Sequence, residues 1–121
     1  MPIAVEQLEA RIYLSIWVDF VSLEDMRAAA AHRQELADAE GAQDYISIVD
    51  VSRVGSIPFN LDALRETLEA DTRVIAFLVI GVNLQARIFV ESLMKTTHVK
   101  IEFAASTEDA LKRARALIDE G

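Results

Sequence analysis

Tyr45-Ile46-Ser47-Ile48-Val49-Asp50-Val51 runs directly into Ser52-Arg53-Val54-Gly55-Ser56-Ile57-Pro58-Phe59-Asn60-Leu61. The first run is dominated by aromatic and β-branched side chains, which suit a pleated, packed surface, and it reads as a strand. The next stretch, Ser52 to Pro58, carries Ser, Gly and Pro and reads as a loop. Asn60 then offers a side-chain oxygen to the free backbone N–H groups of a helix start, and Leu61, Leu64 and Leu68 follow on one helical face. A strand, a short loop and a capped amphipathic helix in that order form half of a βαβ unit.

The same alternation extends in both directions. Upstream, Arg11-Ile12-Tyr13-Leu14-Ser15-Ile16-Trp17-Val18 reads as a strand, with Ile3 to Leu8 as a short strand able to pair with it. Ser22-Leu23-Glu24-Asp25 has the pattern of a capping box: serine at the N-cap, an acid three residues on, and acids against the positive end of the helix dipole. The helix continues through Ala28 to Ala31 and should stop near Gly41. Downstream, the unbroken apolar run Val74 to Ile80 suits a strand covered on both faces. Gly81-Val82-Asn83 turns the chain into a helix with Ala86, Phe89, Val90, Leu93 and Met94 at helical spacing. Val99 to Phe103 alternates as an edge strand with one wetter face would. Ser106-Thr107-Glu108-Asp109 repeats the capping-box pattern before Ala110, Leu111, Ala114, Leu117 and Ile118. The expected fold is α/β: a mainly parallel, mixed sheet of four to five strands with about four helices, in the order (β)-β-α-β-α-β-α-β-α.

Composition sets limits. With 121 residues and no linker or low-complexity tract, residues 1–121 are expected to form a single domain. The 52% hydrophobic content and four glycines argue against disorder. The absence of cysteine removes disulfides, thiol catalysis and cysteine-ligated metals. A net charge of −8 opposes binding to nucleic acid and to anionic membranes. No apolar run reaches the roughly 20 residues of a membrane span, and the N-terminal residues lack the pattern of a secretory signal, so a cytoplasmic location is expected.

Catalytic signatures are missing. His32 and His98 have no second histidine at metal-ligand spacing, no glycine set forms a phosphate cradle, and no nucleophile elbow occurs. No metal or cofactor is expected. The β/α order is shared with phosphoacceptor receiver domains, but Asp19 stands alone after the first main strand and Lys100 is followed by Ile101 rather than proline.

The stretch from Ile48 to Leu61 resembles the central segment of STAS domains, the fold of bacterial anti-sigma-factor antagonists. In those domains a strand ending in an aspartate, an apolar residue and a serine leads to an Asp-Ser-Ser-Gly helix start. The order of elements resembles theirs over most of the chain, closing on the helix after Phe103-Ala104-Ala105-Ser106. Laid on that pattern, Pro58-Phe59-Asn60-Leu61 puts Asn60 where the phosphorylatable serine stands. Asparagine caps a helix as serine does but has no hydroxyl to phosphorylate. The resemblance implies a non-enzymatic regulatory module outside the usual serine switch. It would act on a protein partner such as a regulatory kinase or an anti-sigma-like protein, or on itself as a homodimer.

The candidate binding surface comprises Ser52, Arg53, Ser56, Phe59, Asn60, Asn83 and Arg87, with Phe59 as an apolar anchor. An alternative is a small-ligand module that takes lipid or an anion in the crevice at the strand carboxyl ends, where open α/β sheets collect ligands and where Gln85 also falls. Against it, Arg53 and Arg87 have a surplus of acids to pair with, and Ser52 and Ser56 can be plain turn residues. An enzyme would have to work through Asp50, Ser52 or Asn83 alone. The helix from Asn83 to Met94 carries more apolar residues than one face needs, which deep burial or a partner contact would explain.

Overall fold

A computed structural model describes residues 2–56 and 60–120. It contains β1 (Ile3–Glu9), β2 (Ile12–Phe20), α1 (Leu23–Glu40), β3 (Tyr45–Ser56), α2 (Leu61–Glu69), β4 (Val74–Ile80), α3 (Leu84–Met94), β5 (Lys100–Ala104) and α4 (Thr107–Glu120). The strands form a single sheet in sequence order, β1-β2-β3-β4-β5. The β1–β2 pair is antiparallel and the remaining three pairs are parallel. The expected order of elements and mixed sheet are both present.

Local chemistry accounts for the element ends. The Ser22 hydroxyl accepts from the Asp25 N–H at 3.1 Å, and the Asp25 carboxylate accepts from the Ser22 N–H at 2.9 Å, closing the capping box on α1. Gly41, at φ 75°, ends that helix by donating to the carbonyls of Ala37 and Asp38. Asn60 and Asn83 cap α2 and α3 by accepting from Ala63 at 3.0 Å and Ala86 at 2.8 Å. Ser106 caps α4 by accepting from Asp109 at 3.1 Å.

The sheet separates two apolar layers. Ile12, Leu14, Ile46, Ile48, Ala76 and Leu78 face α4, which contributes Ala110, Ala114 and Leu117. Val49, Phe77 and Val79 point the other way, toward Met26 of α1, Leu64 of α2 and Leu93 of α3. This two-sided cover explains the unbroken apolarity of β4, whose alternate residues enter opposite layers.

Two expectations are corrected. Ser52 to Ser56 is not a loop: β3 runs on to Ser56 beside the far end of β2, with Val18 opposite Arg53, Asp19 opposite Val54 and Phe20 opposite Ser56. Turn-prone side chains there point mostly into solvent while parallel pairing satisfies the backbone, so tertiary pairing overrides local preference. The register shifts twice in this stretch, and Asp19 takes a positive φ of 58°. The second correction concerns α3, which is not deeply buried. Leu84 and Ile88 are 77% and 60% exposed, and Leu93 is its one buried residue among those described.

Candidate functional site: an apolar cavity floored by Arg33

A cavity of about 300 Å³ lies between the sheet and helices α1, α2 and α3. Its sheet wall includes Val49, Phe77 and Val79, and its helix walls include Met26, Leu64 and Phe89. Ser56, Asn83 and Gln85 line it at the carboxyl ends of β3 and β4. The phase of α3 makes this possible: Ala86, Phe89, Val90 and Leu93 share the inner face, whereas Leu84 and Ile88, one turn apart, share the outer one. The apolar surplus of α3 is thus two stripes with different surroundings.

Arg33 is the charged member of the wall. It lies in phase with the buried α1 positions Met26, Ala30 and Ala37 and is only 5% exposed. Its Nε donates to the Tyr45 hydroxyl at 3.0 Å, and its guanidinium carbon stands 5.3 Å from the centre of the Phe77 ring. Nη2 is buried with no hydrogen-bond partner among the described residues. The Tyr45 hydroxyl in turn donates to Asp71 Oδ2 at 2.8 Å. Burial is the main force pushing the Tyr45 phenol up to about 12, so it stays neutral.

Asp71 belongs to Arg73. The Arg73 side chain donates to both Asp71 oxygens, at 3.0 and 2.8 Å, and reaches Asp38 at 2.8 Å. Burial raises the Asp71 carboxyl, but hydrogen bonds from Arg73 and Tyr45 outweigh it and hold the group at about 2. Arg33 therefore touches a neutral hydroxyl and two aromatic faces, while the adjacent carboxylate is already paired.

The residues singled out from sequence divide into three groups. Ser56 and Asn83 line the cavity, as does Gln85. Ser52, Arg53, Asn60 and Arg87 do not line it. Ser52 donates its hydroxyl and N–H to Asp50 Oδ1 at 2.6 and 2.9 Å, Arg53 is exposed with no ion pair among the described residues, and Asn60 serves its helix. Arg87 pairs with Glu91 at 3.1 Å and lies 4.3 Å from the centre of the Phe103 ring, so the acid-pairing alternative holds for it. Phe59 lies outside the described residues. His98 is exposed, 4.0 Å from Glu69, and the described residues include no group of three or more metal-ligating side chains.

Sequence reasoning missed Arg33, Tyr45 and Asp71 as a unit. A signal for the first existed: a lone cation in register with the small apolar stripe of α1. Nothing local marked Asp71 as its neighbour through Tyr45, because that juxtaposition depends on where β3 and the turn before β4 meet α1.

No protein-family model and no curated protein matches the chain. Solved structures do. An uncharacterised protein of the DUF3478 family with a SpoIIAA-like fold, from Shewanella loihica PV-4, superposes with a TM-score of 0.64 at 15% identity, covering 93% of this chain and 91% of that one. The anti-sigma factor antagonist SpoIIAA in its unphosphorylated form gives 0.62 at 15% identity, over 93% of this chain and 97% of its own. The phosphorylated form of SpoIIAA, a Bacillus cell fate determinant, gives 0.58 at 15% identity, over 92% and 97%. The expected order of elements is thus matched in three dimensions, and the chain has a SpoIIAA-like fold.

Proposed function

We propose that this chain is a non-enzymatic regulatory module that acts in the cytoplasm by binding another protein, without a serine switch at position 60. The observation that carries the reading is the outer stripe of α3. Leu84 and Ile88 are large, apolar and exposed one turn apart, directly after the Asn83 cap. Exposed apolar clusters are costly in water unless a partner covers them, whereas singly scattered ones are ordinary. Phe20, 68% exposed, is a further large apolar side chain at the carboxyl end of β2. Arg53 adds an exposed cation on β3, which suits an acidic contact on the partner. The fold agrees with this reading, since one neighbour is by name an anti-sigma factor antagonist. No described helix is long and apolar enough to cross a membrane.

The test compares affinity purification from the native host using the wild-type chain and the double variant Leu84→Glu, Ile88→Glu. Both positions are exposed, so circular dichroism and melting temperature should be unchanged. A protein retained by the wild type and lost with the double variant supports the reading, and a regulatory kinase or anti-sigma-like protein is the expected class. Equal retention by both overturns it. If sedimentation shows a dimer that the double variant abolishes, the stripe serves self-association instead.

A further inference from the structure

We propose that the interior cavity is a binding site for an amphipathic monocarboxylate, a medium-chain fatty acid or close analogue, with its carboxylate on Arg33. The site is separate from the outer stripe of α3 and does not depend on the partner reading.

A guanidinium keeps its charge at all accessible pH values, and a buried charge is tolerated only when compensated. Arg33 is 5% exposed, yet its Nη2 has no partner among the described residues. Its Nε bond goes to a neutral phenol, and the ring faces of Tyr45 and Phe77 lie 5.9 and 5.3 Å away. Ring faces stabilise a cation by a modest amount and leave its N–H donors unsatisfied. Asp71, the carboxylate beyond Tyr45, is engaged by Arg73. One anionic acceptor on Nη2 would complete the arrangement, and a carboxylate matches the planar donors of a guanidinium.

The rest of the wall defines the body of the ligand. Apart from Arg33, the interior is walled largely by aliphatic and aromatic side chains, Val49, Val79, Leu93 and Ile101 among them. A sugar or nucleotide would leave its hydroxyls and ring nitrogens unpaired there. At about 300 Å³ the space is about twice the ~150 Å³ of an apolar cavity that takes a benzene, which suits a chain of medium length. Orientation follows from the strands. Phe77, under the guanidinium, lies upstream of the carboxyl end of β4, where Asn83 and Gln85 form the polar rim. The head group therefore sits inside and the chain points toward the rim. The crevice expected at the strand ends is the mouth of this site rather than the site itself.

The experiment titrates the full chain with decanoate, decanol and decyltrimethylammonium below their micellar ranges, by calorimetry and by Trp17 fluorescence. Trp17 is the single tryptophan and lines the cavity, so it reports occupancy directly. Decanoate should saturate a single class of site and bind at least about tenfold more tightly than decanol, because only it neutralises Arg33. Arg33→Met should remove that preference while leaving decanol binding in place. Ala86→Trp, which fills the rim, should weaken both. The proposal is overturned if decanoate fails to saturate by either readout, if decanol binds as tightly, or if Arg33→Met binds decanoate like the wild type. Should Arg33→Met fail to fold, the decanoate-to-decanol ratio on the wild type and the response of Ala86→Trp decide the matter.

Discussion

The hydroxyl of Tyr45 donates to Asp71 Oδ2 at 2.8 Å, joining the first residue of β3 to the turn before β4. The same oxygen accepts from Arg33 Nε at 3.0 Å, so one phenol links α1 to that turn through a buried cation and a buried anion. Removing it leaves a buried donor on Arg33 and strips one bond from Asp71. Tyr45→Phe should cost about 2–3 kcal/mol, the range for leaving groups bonded to charges unsatisfied. Urea unfolding at neutral pH measures this. A change below about 0.5 kcal/mol, the scale of an ordinary surface substitution, would show that the link does not hold the elements together.

Asp71 makes stability depend on acid. Its folded carboxyl titrates at about 2, below the 3.8 of a free aspartate, so the unfolded chain takes up the proton first as pH falls. The stabilisation is fully present above about pH 4 and is lost as pH approaches 2, amounting to about 2 kcal/mol in total. Wild type and Asp71→Asn should therefore differ most at neutral pH and converge near pH 2. Unfolding midpoints measured across that range check it, and parallel curves for the two proteins would contradict the assignment.

Gly81 passes Ser52 at a distance that leaves no room for a side chain. A Cβ there would stand 2.5 Å from the Ser52 Cβ, and the backbone φ is 79°. Alanine would meet both a left-handed backbone, costing about 1–2 kcal/mol, and a contact with the body of β3. Gly81→Ala should destabilise by about 2–4 kcal/mol and lower the melting temperature accordingly. The Ser52 Cα and N would also stand only 2.7 and 2.8 Å from that Cβ, so truncating Ser52 to glycine should not rescue the variant. A melting temperature equal to that of the wild type would contradict the close approach.

Asn60, the residue that the sequence resemblance lays on a serine of the STAS pattern, caps α2 with its side chain. Asn60→Ser should leave stability nearly unchanged, since both side chains accept from the same N–H, whereas Asn60→Ala should cost about 0.5–2 kcal/mol. Thermal melts of the two variants decide it. An Asn60→Ala variant as stable as the wild type would mean that the cap contributes nothing, and equal losses in both variants would mean that serine does not replace it.

Most of the fold could be read along the chain because its signals are local. The Ser22–Asp25 box, the Gly41 stop, and the Asn60 and Asn83 caps each depend on residues a few positions apart. Long-range pairing was legible only where composition announced it. Val74 to Ile80 declared its two covered faces by being apolar throughout, but Ser52 to Ser56 concealed its strand. What decided that stretch was the far end of β2, distant in sequence.

The candidate site divides on the same line. By itself the sequence determined the order of strands and helices, the absence of cysteine chemistry, the helix-capping asparagine at position 60 and the apolar surplus of α3. Only the tertiary structure decided that this surplus splits into an inner cavity wall and an outer stripe, because the helix's rotation against the sheet sets which residues meet solvent. It also decided that Arg33 faces Tyr45 and Phe77 instead of an acid. Spacing along a chain tells which side chains share a helix face. Whether a charge on that face finds a counter-charge depends on which distant elements fold against it.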